Sequence, residues 1–181
     1  MSRLTQMKLP QMTQSPQIPD AEATLVALAE RMRSAVAFDA AFVGIYSGGA
    51  WIADRLAKMI PGEHPVGHID VSFYRDDFAR SGLKSGAKRS ELPFDVDGRS
   101  IVLVDDVLYT GRSVRAAINE LFDYGRPARI ELAVLVDRGG RELPVEATYC
   151  GARLAVARNL SIVLAKDGER LCFGVEKVAA D

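Results

Sequence analysis

Two adjacent carboxylates and, four residues on, a run of hydroxyl, glycine, guanidinium and hydroxyl make Asp105-Asp106-Val107-Leu108-Tyr109-Thr110-Gly111-Arg112-Ser113 the stretch richest in chemistry. The apolar run 100–104 before it reads as a buried strand that ends at the two aspartates. Val114, Ala117, Ile118, Leu121 and Phe122 recur after it at helical spacing, so the Thr-Gly-Arg-Ser turn opens a helix. Free backbone N–H groups at a helix start, with the hydroxyls of Thr110 and Ser113, suit a phosphate monoester, and Gly111 permits close backbone approach. Asp105 and Asp106 can accept from sugar hydroxyls or hold Mg²⁺ through water. The same residues also fit a plainer role, a polar strand end and a helix cap. A nucleoside-triphosphatase would need a G-x-x-x-x-G-K-[ST] loop, which the chain lacks.

Two more polar clusters follow apolar runs. Ser47-Gly48-Gly49 lacks the G-x-G-x-x-G spacing of a dinucleotide fold, yet beside the first cluster it is a seat for another phosphate group. Asp137-Arg138-Gly139 ends the run 130–136. His64 and His68 are four apart but fall in a turn and at a strand start, so no helical metal pair is expected.

Positioning these clusters requires strands and helices in alternation. Asp20 should cap a helix over 21–37, with Ala21, Leu25, Leu28, Ala29 and Met32 facing inward. A strand over 41–46, the Ser-Gly-Gly turn and a helix over 50–60 come next. Ile69, Val71 and Phe73 alternate with polar residues as a half-buried strand does, and the stretch 74–99 reads as a long functional loop or a hairpin. Gly125 should end the 114–124 helix as a left-handed cap. Late in the chain, 154–156 looks strand-like, and 162–164 with 170–173 form a hairpin about Lys166-Asp167-Gly168-Glu169. Near-continuous apolar strands between helices predict an α/β fold with a mainly parallel sheet covered on both faces, binding its ligands beyond the carboxyl ends of the strands.

Composition sets the outer bounds. The 181 residues carry 23 basic and 24 acidic side chains, too balanced to coat nucleic acid through bulk charge. Cys150 and Cys172 are the only cysteines and are expected as buried small hydrophobes. No stretch approaches the ~18 apolar residues of a membrane span. The first twenty residues hold Pro, Gln and Ser where a signal peptide has its apolar core, so a cytoplasmic protein without membrane association is expected. Residues 1–19, with Pro10, Pro16 and Pro19, read as a disordered tail.

Val102-Leu103-Val104-Asp105-Asp106-Val107-Leu108-Tyr109-Thr110-Gly111-Arg112-Ser113-Val114 resembles the 5-phosphoribosyl diphosphate (PRPP) signature of type I phosphoribosyltransferases. With Ile69-Asp70-Val71-Ser72-Phe73-Tyr74-Arg75-Asp76-Asp77, Gly125-Arg126-Pro127 and 132–144, which ends in Asp137-Arg138-Gly139-Gly140-Arg141-Glu142-Leu143-Pro144, the chain resembles the PyrR family of pyrimidine operon attenuators that are also uracil phosphoribosyltransferases. The resemblance runs in order from about residue 21 to 151 and implies a phosphoribosyltransferase domain over 20–181 with a small hood built from the chain ends. It implies Mg²⁺-dependent conversion of uracil and PRPP to UMP and pyrophosphate, binding of the pyrimidine operon mRNA leader in step with uridine nucleotides, and a homo-oligomer. A phosphoribosyltransferase with no RNA role is the alternative. By resemblance, Asp105 and Asp106 are catalytic and grip the ribose, and 102–114 bind PRPP. Ser47, Gly48 and Arg138 line the pyrophosphate or substrate side, and Asp137 stands indirectly near the metal. Backbone at Ile162 and Val163 reads uracil, and the loop at Tyr74, Arg75, Asp76 and Asp77 closes over the reaction. Two departures stand out: the family's Thr-Arg-Gly turn is Ser47-Gly48-Gly49, and its usual His after Asp-Arg-Gly is Gly140. Loss of the turn arginine removes a positive charge from the leaving group and predicts a weaker transferase. Across 75–90, five basic residues face two acidic ones, which suits RNA, though no RNP-type aromatic motif accompanies them.

Overall fold

Five strands, β1 (Ala41–Ile45), β2 (Val66–Ile69), β3 (Ser100–Leu108), β4 (Arg129–Asp137) and β5 (Tyr149–Arg153), form a parallel sheet in the order β2-β1-β3-β4-β5. The computed structural model describes residues 18–71 and 89–178. Among the described residues, three helices cover the sheet: α1 (Ala21–Met32), α2 (Gly48–Met59) and α3 (Arg112–Tyr124). Alternate residues of the central strands bury on opposite faces, as a pleat requires. Phe42, Val102, Val104, Ala133 and Leu135 pack with α1 and α2, whereas Val43, Ile101, Leu103 and Val134 pack with α3. Burial on both sides is why these strands read as unbroken apolar runs.

Connections leave the middle of the sheet in opposite directions. The chain passes from β1 through α2 outward to β2, and from β3 through α3 to β4 on the other side. Two crossovers of one hand running opposite ways must place their helices on opposite faces, and α2 and α3 lie so. The sheet therefore has its topological switch point between β1 and β3.

An antiparallel hairpin, β6 (Leu160–Asp167) and β7 (Arg170–Lys177), stands apart from the sheet. Its turn is Gly168-Glu169, with Gly168 at φ 56°. Leu164, Leu171 and Phe173 anchor it to the cluster around α1. Glu22 at the start of α1 fastens it further, accepting from both Arg55 Nη atoms (2.7 and 2.6 Å) and from the Leu171 N–H (2.8 Å). First helix and last hairpin thus build the expected hood.

Several local expectations need correction. Asp20 does cap α1, its Oδ1 accepting from the Ala23 N–H at 2.9 Å, but the helix ends at Met32, short of 37. Gly48 and Gly49 form the first turn of α2 instead of preceding it. The second strand is Val66–Ile69, earlier than the alternation suggested. Tyr149–Arg153 is the fifth strand in place of 154–156; the sequence hides it because Gly151 interrupts the apolar pattern. Gly125 ends α3 at φ 158°, ψ −169°, a positive-φ conformation open to glycine but outside the left-handed helical region. Cys150 and Cys172 are partly, not fully, buried. Burial pushes the Cys150 thiol up, so it stays protonated and packs as a small hydrophobe. Among the described residues, no helix is long and apolar enough to cross a membrane.

Candidate active site

The two phosphate-suited clusters meet at the switch point, where open parallel sheets bind ligands. β1 pairs with β3 only from Ala41↔Ile101 to Gly44↔Val104, then turns away into α2. β3 continues alone beside β4, through Asp105↔Val134 to Leu108↔Asp137. Asp105 and Asp106 therefore lie inside the strand, not beyond its end, where β1 no longer pairs with it.

Each aspartate is aimed by the next peptide. The Asp106 N–H donates to Asp105 Oδ1 at 3.0 Å, and the Val107 N–H to Asp106 Oδ1 at 2.9 Å. Asp105 is 7% exposed and Asp106 is half-buried. Gly48 rests directly on the Asp106 side chain, where a Cβ would collide with the carboxylate and with its Cβ (2.8 Å). The Tyr46–Ser47 peptide that leads into this turn is cis. The Ser47-Gly48 turn and the Asp105-Asp106 pair thus lie together.

Beyond β3, Gly111 heads α3 in the left-handed conformation (φ 92°), with Val145 and Leu143 Cβ atoms 3.3 and 3.4 Å from where a side chain would begin. Thr110 is buried, and its Oγ1 accepts from the Arg112 N–H at 3.3 Å. The turn sits at the positive end of α3, which suits an anion. Val102, Leu103, Val104, Leu108 and Val114 are buried in the core and form its base.

Sequence reasoning missed the scaffold that holds this turn. Thr110 O accepts from the N–H groups of Glu142 (3.0 Å) and Leu143 (3.1 Å). Arg141 Nη1 donates to Tyr109 O at 2.9 Å, and its Nε to Val145 O at 3.0 Å. Glu142 Oε2 pairs with Arg112 Nη2 at 2.6 Å, so that guanidinium is shared with a carboxylate, not given wholly to a phosphate cradle. The signal was present in Arg141-Glu142-Leu143-Pro144, which served as a family mark without a role.

Asp137 has both oxygens engaged, by Arg141 Nη2 (2.7 Å) and the Gly139 N–H (2.9 Å). Burial alone would push its carboxyl up, but these donors outweigh it and hold the group below the usual carboxylate range. Arg138 is 6% exposed; burial pulls its pKa down from the usual arginine range. Its guanidinium lies 4.1 Å over the Tyr109 ring centroid, and Nη2 donates to Ala157 O at 3.2 Å. Ile162 is buried and Val163 half-buried on β6, in the hood and not in the sheet. Among the described residues, no group of three or more His, Cys, Asp or Glu side chains could hold a metal. His64 is spent on Ala40 O (2.8 Å) and His68 on Asp54 (3.0 Å). Tyr74, Arg75, Asp76 and Asp77 lie outside the described residues.

Comparison with known proteins agrees with this geometry. The model of the phosphoribosyl transferase domain matches residues 17–156. The bifunctional protein PyrR of Ralstonia nicotianae is 55% identical over 154 residues, covering 83% of this chain and 88% of the relative. That of Pseudomonas aeruginosa is 50% identical over 123 residues, 68% of this chain and 72% of the relative. Among solved structures, a purine phosphoribosyltransferase from Pyrococcus horikoshii aligns at TM-score 0.55 and 27% identity, over 74% of this chain and 81% of that one. The hypoxanthine phosphoribosyltransferase of Trypanosoma cruzi, 16% identical, aligns at 0.58 over 85% and 93% and speaks to the fold alone. With a domain match over most of its length and relatives at half identity or better, the chain belongs to the phosphoribosyl transferase domain family and, within it, to the family of bifunctional PyrR proteins.

Proposed function

We propose that the chain regulates pyrimidine operon expression by binding the mRNA leader in response to uridine nucleotides, and that it transfers the phosphoribosyl group of PRPP to uracil, giving UMP and pyrophosphate. The observation that carries the enzymatic half is the meeting of Asp105, Asp106 and the Gly111-headed helix start at the sheet's switch point. Membership of the bifunctional family supports the regulatory half and disfavours a transferase without an RNA role.

The donor set suits Mg²⁺ held in the manner usual for phosphate substrates, by one or two carboxylates, water and the substrate's own oxygens. Asp105 and Asp106 supply the carboxylates; no all-protein cage exists among the described residues. When bound, the metal supplies neutralisation of the departing pyrophosphate. Thr110, Ser113 and the amides of the α3 start hold the 5′-phosphate, while Ser47 and Gly48 border the pyrophosphate. The two aspartates accept from the ribose hydroxyls and stabilise the cationic sugar as uracil nitrogen attacks its far face. Ile162 and Val163 offer hood backbone to the uracil edge, and the segment around 74–77 closes over the site. The protein works in the cytoplasm as a homo-oligomer, and half-exposed Phe122 and Tyr124 on α3 offer an apolar contact for a second copy.

UMP formation from uracil and PRPP, with and without Mg²⁺ and beside hypoxanthine and orotate, tests the enzyme. Mg²⁺-dependent turnover of uracil alone is expected, and turnover of a purine instead would overturn the base assignment. Binding of the leader RNA that falls with salt and tightens with UMP is expected for the regulator; binding indifferent to UMP would refute it.

A further inference from the structure

Arg138 is the one buried side chain among the described residues with an orphaned polar atom: its Nε has no hydrogen-bond partner. A buried N–H left unpaired is unfavourable, so its placement needs a reason beyond packing. Its other contacts supply one. The guanidinium stacks on Tyr109, the residue before the Thr110-Gly111 turn, and reaches Ala157 O in the linker that runs into β6. Gly140 presses on the far part of the same ring: at φ 76° it adopts a conformation open to glycine, and a Cβ there would collide with the Tyr109 ring edge. The departure from the family's His thus makes room for this placement of the tyrosine. Arg141 holds the Tyr109 carbonyl, so residues 138–141 fix both ring and backbone of one donor-loop residue.

We propose that Arg138 is a positioning residue that couples the donor loop to the base hood, so that filling the phosphoribosyl cradle orders the hood that receives the base. The inference rests on the proposed transferase site and adds to it a route between its two halves. A ligand that fixes 109–113 fixes the Tyr109 ring. That ring fixes the planar guanidinium stacked on it, and the guanidinium holds Ala157, five residues before Ile162. A lysine in its place keeps the charge but loses the flat stacking face and the fork.

Amide hydrogen exchange on the full chain tests the coupling, with ribose 5-phosphate as a probe that fills the cradle alone. In the unaltered protein it should slow exchange across 157–165 by about fivefold or more, the lower end of the usual coupling between sites. Arg138→Met should abolish that slowing while its affinity for ribose 5-phosphate stays within about twofold, and its affinity for UMP, which spans both halves, should fall about tenfold. Arg138→Lys should behave likewise and serves if the Met variant does not fold. Tyr109→Leu should also uncouple the hood, whereas Tyr109→Phe, which keeps the ring face, should not. Hood slowing that persists in the Arg138 variants, or is absent from the unaltered protein, overturns the proposal, as does equal loss of ribose 5-phosphate and UMP binding. Uracil turnover reports on the site's function separately: coupling seen in a protein that does not use uracil upholds the role of Arg138 and refutes the base assignment.

Discussion

Asp105 and Asp106 are each aimed by the peptide that follows, on the stretch of β3 that runs on past its pairing with β1. Asp105→Asn with Asp106→Asn should keep the fold, since amide oxygens still accept from the same N–H groups, yet abolish UMP formation by removing the charge that stabilises the sugar cation. Unchanged turnover alongside an unchanged thermal midpoint would refute the site. Gly48→Ala sets a Cβ against the Asp106 carboxylate, so a fall in kcat/KM of about tenfold or more is expected, since small misplacements of reacting groups are that expensive; kinetics at saturating uracil would show it. The residue types of this site were legible in sequence, since carboxylates before a Thr-Gly-Arg-Ser turn announce their chemistry. Their contacts were not. That Gly48 touches Asp106, or that Arg112 is shared with Glu142, depends on residues 30 to 58 positions apart meeting across strand ends, and no local pattern encodes such a meeting.

Elements were legible where burial imposes a period. α3 and β4 came out nearly as the apolar spacing dictates, and the hairpin followed from its turn. The failures were at boundaries set by partners. β3 outruns its apolar run because β4 continues to pair with it through Leu108, and β5 escapes notice as a short edge strand broken by glycine. The start of α3 carries its own test. Gly111 holds φ 92° with Val145 and Leu143 close by, and an L-residue in the left-handed region is disfavoured by about 1–2 kcal/mol. Gly111→Ala should therefore lower the unfolding free energy by about that amount and weaken PRPP binding more than uracil binding, because the displaced amides are those proposed to hold the 5′-phosphate. Equal changes in both KM values would show that the turn does not belong to the phosphate end.

Across the whole molecule, one carboxylate reinforces the apolar contacts that seat the hairpin on the body. Glu22 ties α1 to α2 through Arg55 and to β7 through the Leu171 N–H, so the beginning, middle and end of the chain converge on it. Arg55 first, then that N–H, lower its carboxyl to about 2 from an ordinary 4.5, against the opposing pull of burial. A depressed carboxylate stabilises the folded state fully above the unfolded pKa and loses that contribution as pH falls through the folded one. The Glu22 contribution is thus constant near neutrality and disappears between about pH 4.5 and 2. Partial exposure screens the pair, so its size is about 1–3 kcal/mol. Asp137, also held low, adds to the slope in acid. Denaturant melts of the unaltered protein should show stability falling as pH drops below about 4.5, and Glu22→Gln should be less stable at pH 7 with a shallower fall in acid. The two curves should converge towards pH 2, where the glutamate is itself protonated. Parallel curves would mean that the ion pair contributes nothing to folding. Because Ile162 and Val163 ride on the hairpin that Glu22 anchors, the variant should also raise the KM for uracil at neutral pH while leaving that for PRPP nearly unchanged, linking the molecule's acid stability to the hood backbone proposed to read the base.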